Sequence, residues 1–206
     1  MCITIADSTE RLYVTSAEIL QYLRKNGVNP IGKPLHLIDY QEIESQVATH
    51  PMVETAECYS TIDGSTQISV YQRVPVFRVI SSEGNYFIDR RRQPMTIRST
   101  TATYVPVVTG RVSRRMAQEE MYDFICWLTS NTFWNAQIEQ VNVNSQMEIE
   151  LTPRVGSGKI LIGKLSDDYQ TRMKRLYRLY EDGFQKNGWK EYKEIDLRYD
   201  KQIVCR

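Results

Sequence analysis

The chain has 206 residues, enough for one large domain or two small domains with separate cores. Hydrophobic residues make up 41% and charged residues 25%, a balance typical of folded domains and not of disordered chains. The net charge of +1, from 26 basic and 25 acidic residues, gives no general attraction to nucleic acid or anionic lipid. No apolar run reaches the roughly 18 residues of a membrane span.

Cysteine and histidine positions argue against a metal site. The four cysteines are widely spaced along the chain: Cys2, Cys58, Cys126 and Cys205. None belongs to a CxxC pair, and His36 and His50 do not have the spacing of metal ligands. We therefore expect no metal and no cofactor, and we expect buried single thiols, with one disulfide as the alternative in an oxidising compartment.

The first 75 residues predict the order strand, helix, helix, strand, strand. The elements are a strand over residues 2–6, helices from Thr15 to Asn26-Gly27 and from Asp39 to about Thr49, and strands Val53–Tyr59 and Thr66–Arg73. Thr15 and Asp39 are residue types that cap helix starts. Asp63-Gly64 lies between two alternating runs, which strongly indicates a hairpin.

From Val76 onward the pattern changes to short β-like runs and two main helices. The runs are Val76–Ile80, Tyr86–Asp89, Met95–Ser99, Val105–Val108, Ile138–Val143, Met147–Leu151, Lys159–Ile162, and Glu194–Tyr199 with Gln202–Val204, which form one long strand or two. The helices are predicted over 114–130 and Asp167–Gln185. The sequence thus predicts an α+β protein with two domains, 1–76 and 77–206, the second built on a largely antiparallel sheet.

No enzyme signature is present. The sequence has no P-loop, no GxGxxG and no GxSxG motif. His50 at a helix end and Cys126 in an apolar stretch have ordinary structural explanations, as do the carboxylate pairs Glu119-Glu120 and Asp167-Asp168 near helix starts. The basic run Arg90-Arg91-Arg92 is typical of a solvated turn, with contact to a polyanion as the alternative. We expect no catalysis, and an unrecognised hydrolase remains an alternative.

The first 75 residues resemble the POTRA domain. The resemblance lies in the element order and in two stretches of sequence, the first made of Asp39–Glu44 and His50–Ala56, the second of Ile68–Val76. The first is similar to the POTRA pattern of a helix that ends before a His-Pro pair and a strand. The second resembles the strand that follows, with an Arg before a Pro. The fold implied is a three-stranded sheet with two helices.

Four further segments occur in the rest of the chain: Gly84–Asp89, Val107–Gly110, Ile160–Lys164 and Ile195–Tyr199. They resemble, in the same order, segments of the FtsQ/DivIB family of bacterial cell-division proteins. One departure is the arginine run after Asp89, where the family often has a glycine. Gln72-Arg73 and the tyrosine content resemble members from Bacteroidetes. The family's anchor helix does not occur within this sequence.

The resemblance implies a non-catalytic scaffold of the divisome, the assembly that builds the septum. A single upstream helix would anchor it in the inner membrane, with this region in the periplasm. FtsB-like and FtsL-like partners would add a strand beside its terminal strand. The partner-binding residues carried over by motif are Lys164, Arg198, Tyr199, Asp200, Gln202 and Ile203. Lys164 would pair with an acid of the partner, and Tyr199 would be a rigid anchor. The alternative is that this strand is simply the last paired strand of a sheet.

A second exposed edge is expected in the POTRA part. Its residues are Val53, Glu54, Ala56, Glu57 and Tyr59. This edge would bind other divisome membrane proteins, or its two glutamates would only protect it from aggregation. The alternative function for the whole chain is a POTRA component of outer-membrane assembly or secretion.

Overall fold

A computed structural model describes residues 2–7, 12–96, 104–155, 158–165, 168–183 and 192–206. The chain forms two compact units. One contains the described residues up to Val74 together with Met95 and Thr96, and the other contains those from Pro75 to Pro94 and from Tyr104 onward.

The first unit is a three-stranded sheet with two helices, which confirms the predicted order. Its elements are β1 (Cys2–Ile5), α1 (Ser16–Lys25), α2 (Tyr40–Ala48), β2 (Val53–Ser60) and β3 (Thr66–Gln72), with a short 3-10 turn over Leu35–Leu37. The strand order is β1-β3-β2, so β1 and β2 are both edge strands. β3 runs parallel to β1 and antiparallel to β2.

Local sequence sets both helix starts. Thr15 and Glu18 form a capping box, in which each side chain binds the other residue's backbone N–H. Asp39 accepts a hydrogen bond from the N–H of Glu42 at 3.0 Å. The helices bury Ile19, Leu23, Ile43 and Val47 under a sheet face that carries Ile68 and Val70. Burial of these aliphatic side chains is the main stabilising term.

The second unit has a nine-stranded mixed sheet in the order β12-β11-β10-β9-β8-β7-β4-β5-β6. Its strands are β4 (Pro75–Ser81), β5 (Gly84–Asp89), β6 (Pro94–Met95), β7 (Val107–Gly110), β8 (Ile138–Val143), β9 (Ile149–Pro153), β10 (Lys159–Gly163), β11 (Glu194–Asp196) and β12 (Val204–Cys205). Strands β4, β7 and β8 are mutually parallel, as are β10 and β11, whereas hairpin neighbours are antiparallel.

The helices of the second unit differ in detail from the prediction. They are α3 (Arg114–Gln118), α4 (Glu120–Ser130), α5 (Thr132–Gln137) and α6 (Tyr169–Arg178), which continues as one π-turn over Leu179–Gly183. The helix predicted over 114–130 is broken at Glu119, which has φ −107° and ψ −102°. Buried side chains keep their helical spacing across the break, from Ala117 to Met121 and Ile125, so the hydrophobic pattern conceals it.

The remaining predictions can be placed only in part. Residues 97–99 of one predicted strand and residues 166–167 and 184–185 around the last helix lie outside the described residues. All four cysteines are free thiols; Cys58 is buried, Cys126 and Cys205 are half-buried, and Cys2 is exposed, contrary to the expectation of buried thiols. No helix in the described part of the chain has the length and apolar character to cross a membrane.

Candidate functional site: the open edge of the large sheet

The segment predicted to form the open edge, residues 198–203, follows β11, and β11 itself is covered on both sides. Ile195 aligns with Ile160 of β10 in a parallel pair and with Cys205 of β12 in an antiparallel pair. One edge of the sheet is therefore the two-residue strand β12, and the other is β6.

The backbone pairing shows which groups of β12 point outward. Arg206 and Glu194 exchange two backbone hydrogen bonds, of 2.9 and 3.1 Å. Bonded and non-bonded pairs alternate along antiparallel strands, so the pair of Cys205 and Ile195 is non-bonded. The N–H and C=O of Cys205 consequently point away from β11.

The predicted edge residues do not form a strand. Arg198, Tyr199, Asp200 and Gln202 lie in the segment that connects β11 to β12, and only Ile203 directly precedes β12. The extended edge expected over residues 198–203 is thus wrong in its geometry. A turn at Lys201, with a left-handed φ of 60°, interrupts the strand.

Arg175 of α6 holds the connecting segment in place. Its Nη1 donates to the carbonyl oxygens of Tyr199 at 2.7 Å and Gln202 at 3.3 Å, and its Nη2 donates to that of Leu197 at 3.1 Å. One guanidinium thereby occupies three carbonyls that a continued strand would direct to a neighbour. The buried Nε of Arg175 has no hydrogen-bond partner among the described residues.

Arg198 is engaged in ion pairs within the unit. Its Nη2 lies 2.7 Å from Asp196 and its Nη1 lies 3.0 Å from Glu148. The hydrogen bonds from Arg198 hold the pKa of Asp196 below its ordinary value, although burial acts in the opposite direction. The same bonds raise the pKa of Arg198. Arg198 therefore links β11 to Glu148 through ion pairs, a structural role that the sequence did not predict for it.

Lys164 is exposed at the same end of the sheet, directly after β10. The preceding Gly163 has a φ of 90°, and a Cβ at this position would lie 3.1 Å from Cγ of Arg198. Glycine thus lets the chain pass close to Arg198 and leaves Lys164 facing solvent. Tyr199 is also exposed, at 44%.

A shallow groove lies beside the start of β12. It is lined by Arg175, Arg178, Leu179, Asp182, Lys201, Gln202 and Ile203. Three of these side chains are cationic and one is acidic, and Leu179 and Ile203 are apolar. The side chains of Ile203 and Cys205 also pack against the main core, so the edge backbone is firmly supported.

Comparison with known proteins identifies the family. A family model described as FtsQ/DivIB, C-terminal related, matches residues 74–206, more than half of the chain. The chain belongs to the FtsQ/DivIB family. A POTRA-like domain model matches residues 1–71. The chain is also 24% identical, over 194 residues, to the cell division protein FtsQ of Rhodothermus marinus, covering 89% of this chain and 71% of that protein.

Membership of the FtsQ/DivIB family gives the protein a role in cell division and confirms the resemblance found in the sequence. The structure also gives a physical reason for the closing segment Ile195–Tyr199. Ile195 and Leu197 are buried, while Asp196 and Arg198 pair with one another. Apolar and charged residues thus alternate along this segment: Ile195 and Leu197 pack in the core, Asp196 and Arg198 form an ion pair, and Tyr199 is exposed.

The expected edge of the POTRA-like unit, β2, is partly blocked. Thr61 and Ser65 form a hydrogen-bonded backbone contact of 2.8 Å, and alternation from there directs the backbone groups of Glu57 and Tyr59 toward β3. Those of Ala56 and Cys58 point outward. The N–H of Cys58, however, donates to Glu44 of α2 at 2.7 Å.

The other residues of the predicted β2 edge contribute side chains of different kinds. Val53 is buried, Glu54 is half-buried and has an interaction partner, and Tyr59 is 47% exposed. Burial and the nearby Glu44 raise the pKa of the Cys58 thiol to about 11. Along the β2 edge, the backbone groups of Ala56 therefore point outward, whereas the outward N–H of Cys58 is already bonded to Glu44.

The isolated candidates for catalysis have structural roles. His50 packs edge-on against Tyr22, and its Nδ1 accepts a hydrogen bond from the N–H of Met52 at 3.2 Å. Burial lowers the pKa of His50 and raises that of Cys126. Glu119 pairs with Arg115 at 3.0 Å. Asp167 of the second carboxylate pair lies outside the described residues.

The arginine run is an anchored turn. Arg92 has a left-handed φ of 62°, the conformation that glycine adopts most readily. Its guanidinium lies 4.4 Å from the ring centre of Tyr122 and 2.5 Å from Asp123. Asp89 accepts hydrogen bonds from the N–H groups of Arg91 and Gln93, which closes the turn. This arrangement explains how an arginine stands where the family often has a glycine.

Proposed function

We propose that the protein is a non-catalytic scaffold of the divisome that binds FtsB-like and FtsL-like proteins by strand addition and links them to septal wall synthesis. The observation that carries the proposal is the outward backbone of Cys205 on β12. An edge strand with unpaired donors and acceptors is a template for a second polypeptide. Residues 1–76 and 77–206 act as two domains in this proposal.

The surroundings of β12 suit a partner strand that carries acidic and aromatic or aliphatic side chains. Lys164 is exposed, and the groove beside Ile203 contains Arg178 and Lys201. Tyr199, with its carbonyl fixed by Arg175, offers a rigid aromatic surface at low entropic cost. Asp200 and Gln202 flank the turn and define where the partner strand begins or ends.

We place this region on the periplasmic side of the inner membrane, behind a single upstream anchor helix, as the family resemblance implies. The β2 edge would then be a second, weaker contact for other divisome membrane proteins. Ala56 offers the outward backbone groups for it, while Glu44 prevents pairing at Cys58. No nucleic acid and no cofactor take part.

Binding of the FtsB-like protein from the same organism tests the proposal. Calorimetry with Tyr199→Ala and Lys164→Glu is expected to show weaker binding, by about tenfold for each, at unchanged folding. Exposed residues of the first unit provide matched controls: Tyr71→Ala and Lys33→Glu are expected to bind normally. Unchanged affinity of both Tyr199→Ala and Lys164→Glu would refute the site.

A further inference from the structure

Three unusual features meet at the groove beside β12. Arg175 lines the groove, and its buried Nε has no hydrogen-bond partner among the described residues. Leu179, another lining residue, begins the π-turn Leu179–Gly183, into which α6 continues. Lys201, a third, has a left-handed φ of 60°. Buried unpaired donors and left-handed side chains cost free energy, and π-turns occur frequently at functional sites. Their coincidence indicates that function, and not stability alone, shapes this groove.

The unpaired Nε follows from the direction of the other donors of Arg175. Nη1 and Nη2 together reach three carbonyl oxygens, all in the segment that connects β11 to β12. These bonds fix the plane of the guanidinium, because its donors have a rigid geometry. The fold thus leaves one buried donor unpaired and keeps the connecting segment bonded, which favours the shape of the segment over the full hydrogen bonding of the arginine.

Arg175 takes the place of a neighbouring strand. The N–H of Leu197 bonds the carbonyl oxygen of Leu161 at 2.9 Å, which continues the parallel ladder between β10 and β11. β10 ends at Gly163, and the carbonyl oxygen of Leu197 accepts its bond from Arg175. The guanidinium therefore supplies donors at the point where the strand that would have supplied them has ended.

The bonds from Nη1 span the turn that leads into β12. Tyr199 and Gln202 lie on the two sides of Lys201, and Nη1 donates to both of their carbonyl oxygens, at 2.7 and 3.3 Å. Lysine disfavours the left-handed conformation that it has here, so these bonds offset a local preference for other turn shapes. Without them, the turn would adopt several conformations, and the start of β12 would move with it.

We propose that Arg175 is a positioning residue for partner binding, which holds the segment over residues 197–202 in the shape that a partner strand needs beside β12. This inference rests on the proposed function of β12. A segment that is ordered before binding loses little conformational entropy when the partner binds, whereas a loose segment weakens the affinity by its ordering cost. Arg175 acts through the segment and not through a bond of its own to the partner.

Arg175→Lys separates this role from the charge of the side chain. Lysine keeps the cation and an aliphatic stem but loses the planar fork that reaches three carbonyl oxygens. Arg178→Lys is the matched control. Arg178 lines the same groove, three residues further along α6, and its side chain has no hydrogen bond or ion pair with the part of the chain that the structure describes.

Calorimetry with the FtsB-like protein and hydrogen exchange of the free chain test the proposal. Arg175→Lys is expected to bind about tenfold more weakly than the parent chain, with a less favourable binding entropy, and Arg178→Lys within about twofold of the parent. The amide of Val204, in the bonded pair with Asp196, should exchange at least about fivefold faster in free Arg175→Lys. The amide of Arg111, bonded to Val143 at 2.8 Å, should exchange as in the parent, which verifies that the rest of the sheet is folded.

Three results would overturn the proposal. One is parent-like affinity of Arg175→Lys, with or without faster exchange. Another is an equal loss of affinity in Arg178→Lys, since the groove would then act through its charge. A third is weaker binding of Arg175→Lys without faster exchange at Val204, since Arg175 would then contact the partner directly. Failure of the proposed function has a different signature, because the parent chain itself would then not bind the FtsB-like protein, and this inference would fall with it.

Discussion

The carboxylate of Asp196, which has no exposed surface, accepts three hydrogen bonds from Arg198: from the backbone N–H at 3.0 Å, from Nε at 2.9 Å and from Nη2 at 2.7 Å. This contact joins β11 to the segment that leads to the open edge. Because the Arg198 side chain is 38% exposed, water screens part of the attraction. The stabilisation lies mainly in the satisfied buried acceptor.

Removal of the Asp196 carboxylate should therefore destabilise the second unit. We expect Asp196→Ala to lower the free energy of unfolding by about 2–3 kcal/mol, since Arg198 would lose its buried partner. The matched control is Glu119→Ala, which breaks an exposed pair with Arg115 and should cost less than about 0.5 kcal/mol. Urea denaturation measures both values. Equal small losses would show that the Asp196 contact contributes little.

Stability should also depend on pH through Asp196. Its pKa is lower in the folded chain than in the unfolded chain, so its contribution is complete above the unfolded pKa of about 4. The contribution is lost as the pH falls through the lowered folded pKa. In denaturation series from neutral to acid pH, the parent should lose more stability than Asp196→Asn. Parallel curves for the two proteins would contradict this assignment.

The turn at Arg92 offers a test of backbone strain. Arg92→Ala loses the contacts with Tyr122 and Asp123 and keeps a Cβ in the left-handed region, where φ is 62°. Arg92→Gly loses the same contacts but relieves the strain. We expect the glycine variant to be more stable than the alanine variant by about 1 kcal/mol. Thermal unfolding measures the difference, and a less stable glycine variant would refute the explanation.

The blocked edge of β2 gives a prediction for hydrogen exchange. Glu44→Ala removes the acceptor of the Cys58 N–H, whereas Glu44→Gln keeps an oxygen in the same place. The amide hydrogen of Cys58 should exchange faster in Glu44→Ala than in the parent chain, and more slowly in Glu44→Gln than in Glu44→Ala. We expect Glu44→Ala to lower the free energy of unfolding by about 1–2 kcal/mol. Faster exchange in both variants to the same extent would show that the charge, and not the acceptor, protects this edge.

The first unit could be predicted from the sequence because its signals are local. Thr15, Asp39 and Asp63-Gly64 each act on neighbouring backbone, and all three form the expected cap or turn. The break at Glu119 was not predictable, since apolar spacing continues through it. The end of α4 was expected at Asn131, but this residue also caps α5 through the N–H of Trp134.

The geometry of the candidate site was not predictable from the sequence. The closing segment Ile195–Tyr199 contains β11, which β10 and β12 cover on both sides, and the edge strand at this end of the order is β12. The path of the segment between β11 and β12 depends on Arg175. This side chain bonds the carbonyls of Leu197, Tyr199 and Gln202, which lie 22 to 27 residues away in sequence. A side chain that binds carbonyls at such separations leaves no local pattern. The sequence pattern therefore leaves open one long strand over residues 194–204 or two strands joined at Asp200-Lys201. The structure has two shorter strands, Glu194–Asp196 and Val204–Cys205, with a turn at residues 200–201.

The most direct measurement of the central claim is the affinity of Cys205→Pro for the FtsB-like protein. Proline removes the one N–H of β12 that points outward and keeps the bonds between Arg206 and Glu194. Cys205→Ala is the control for loss of the thiol, with thermal unfolding to verify that both variants are folded. We predict that Cys205→Pro binds at least about tenfold more weakly than Cys205→Ala. Equal affinities for the two folded variants would contradict strand addition at β12.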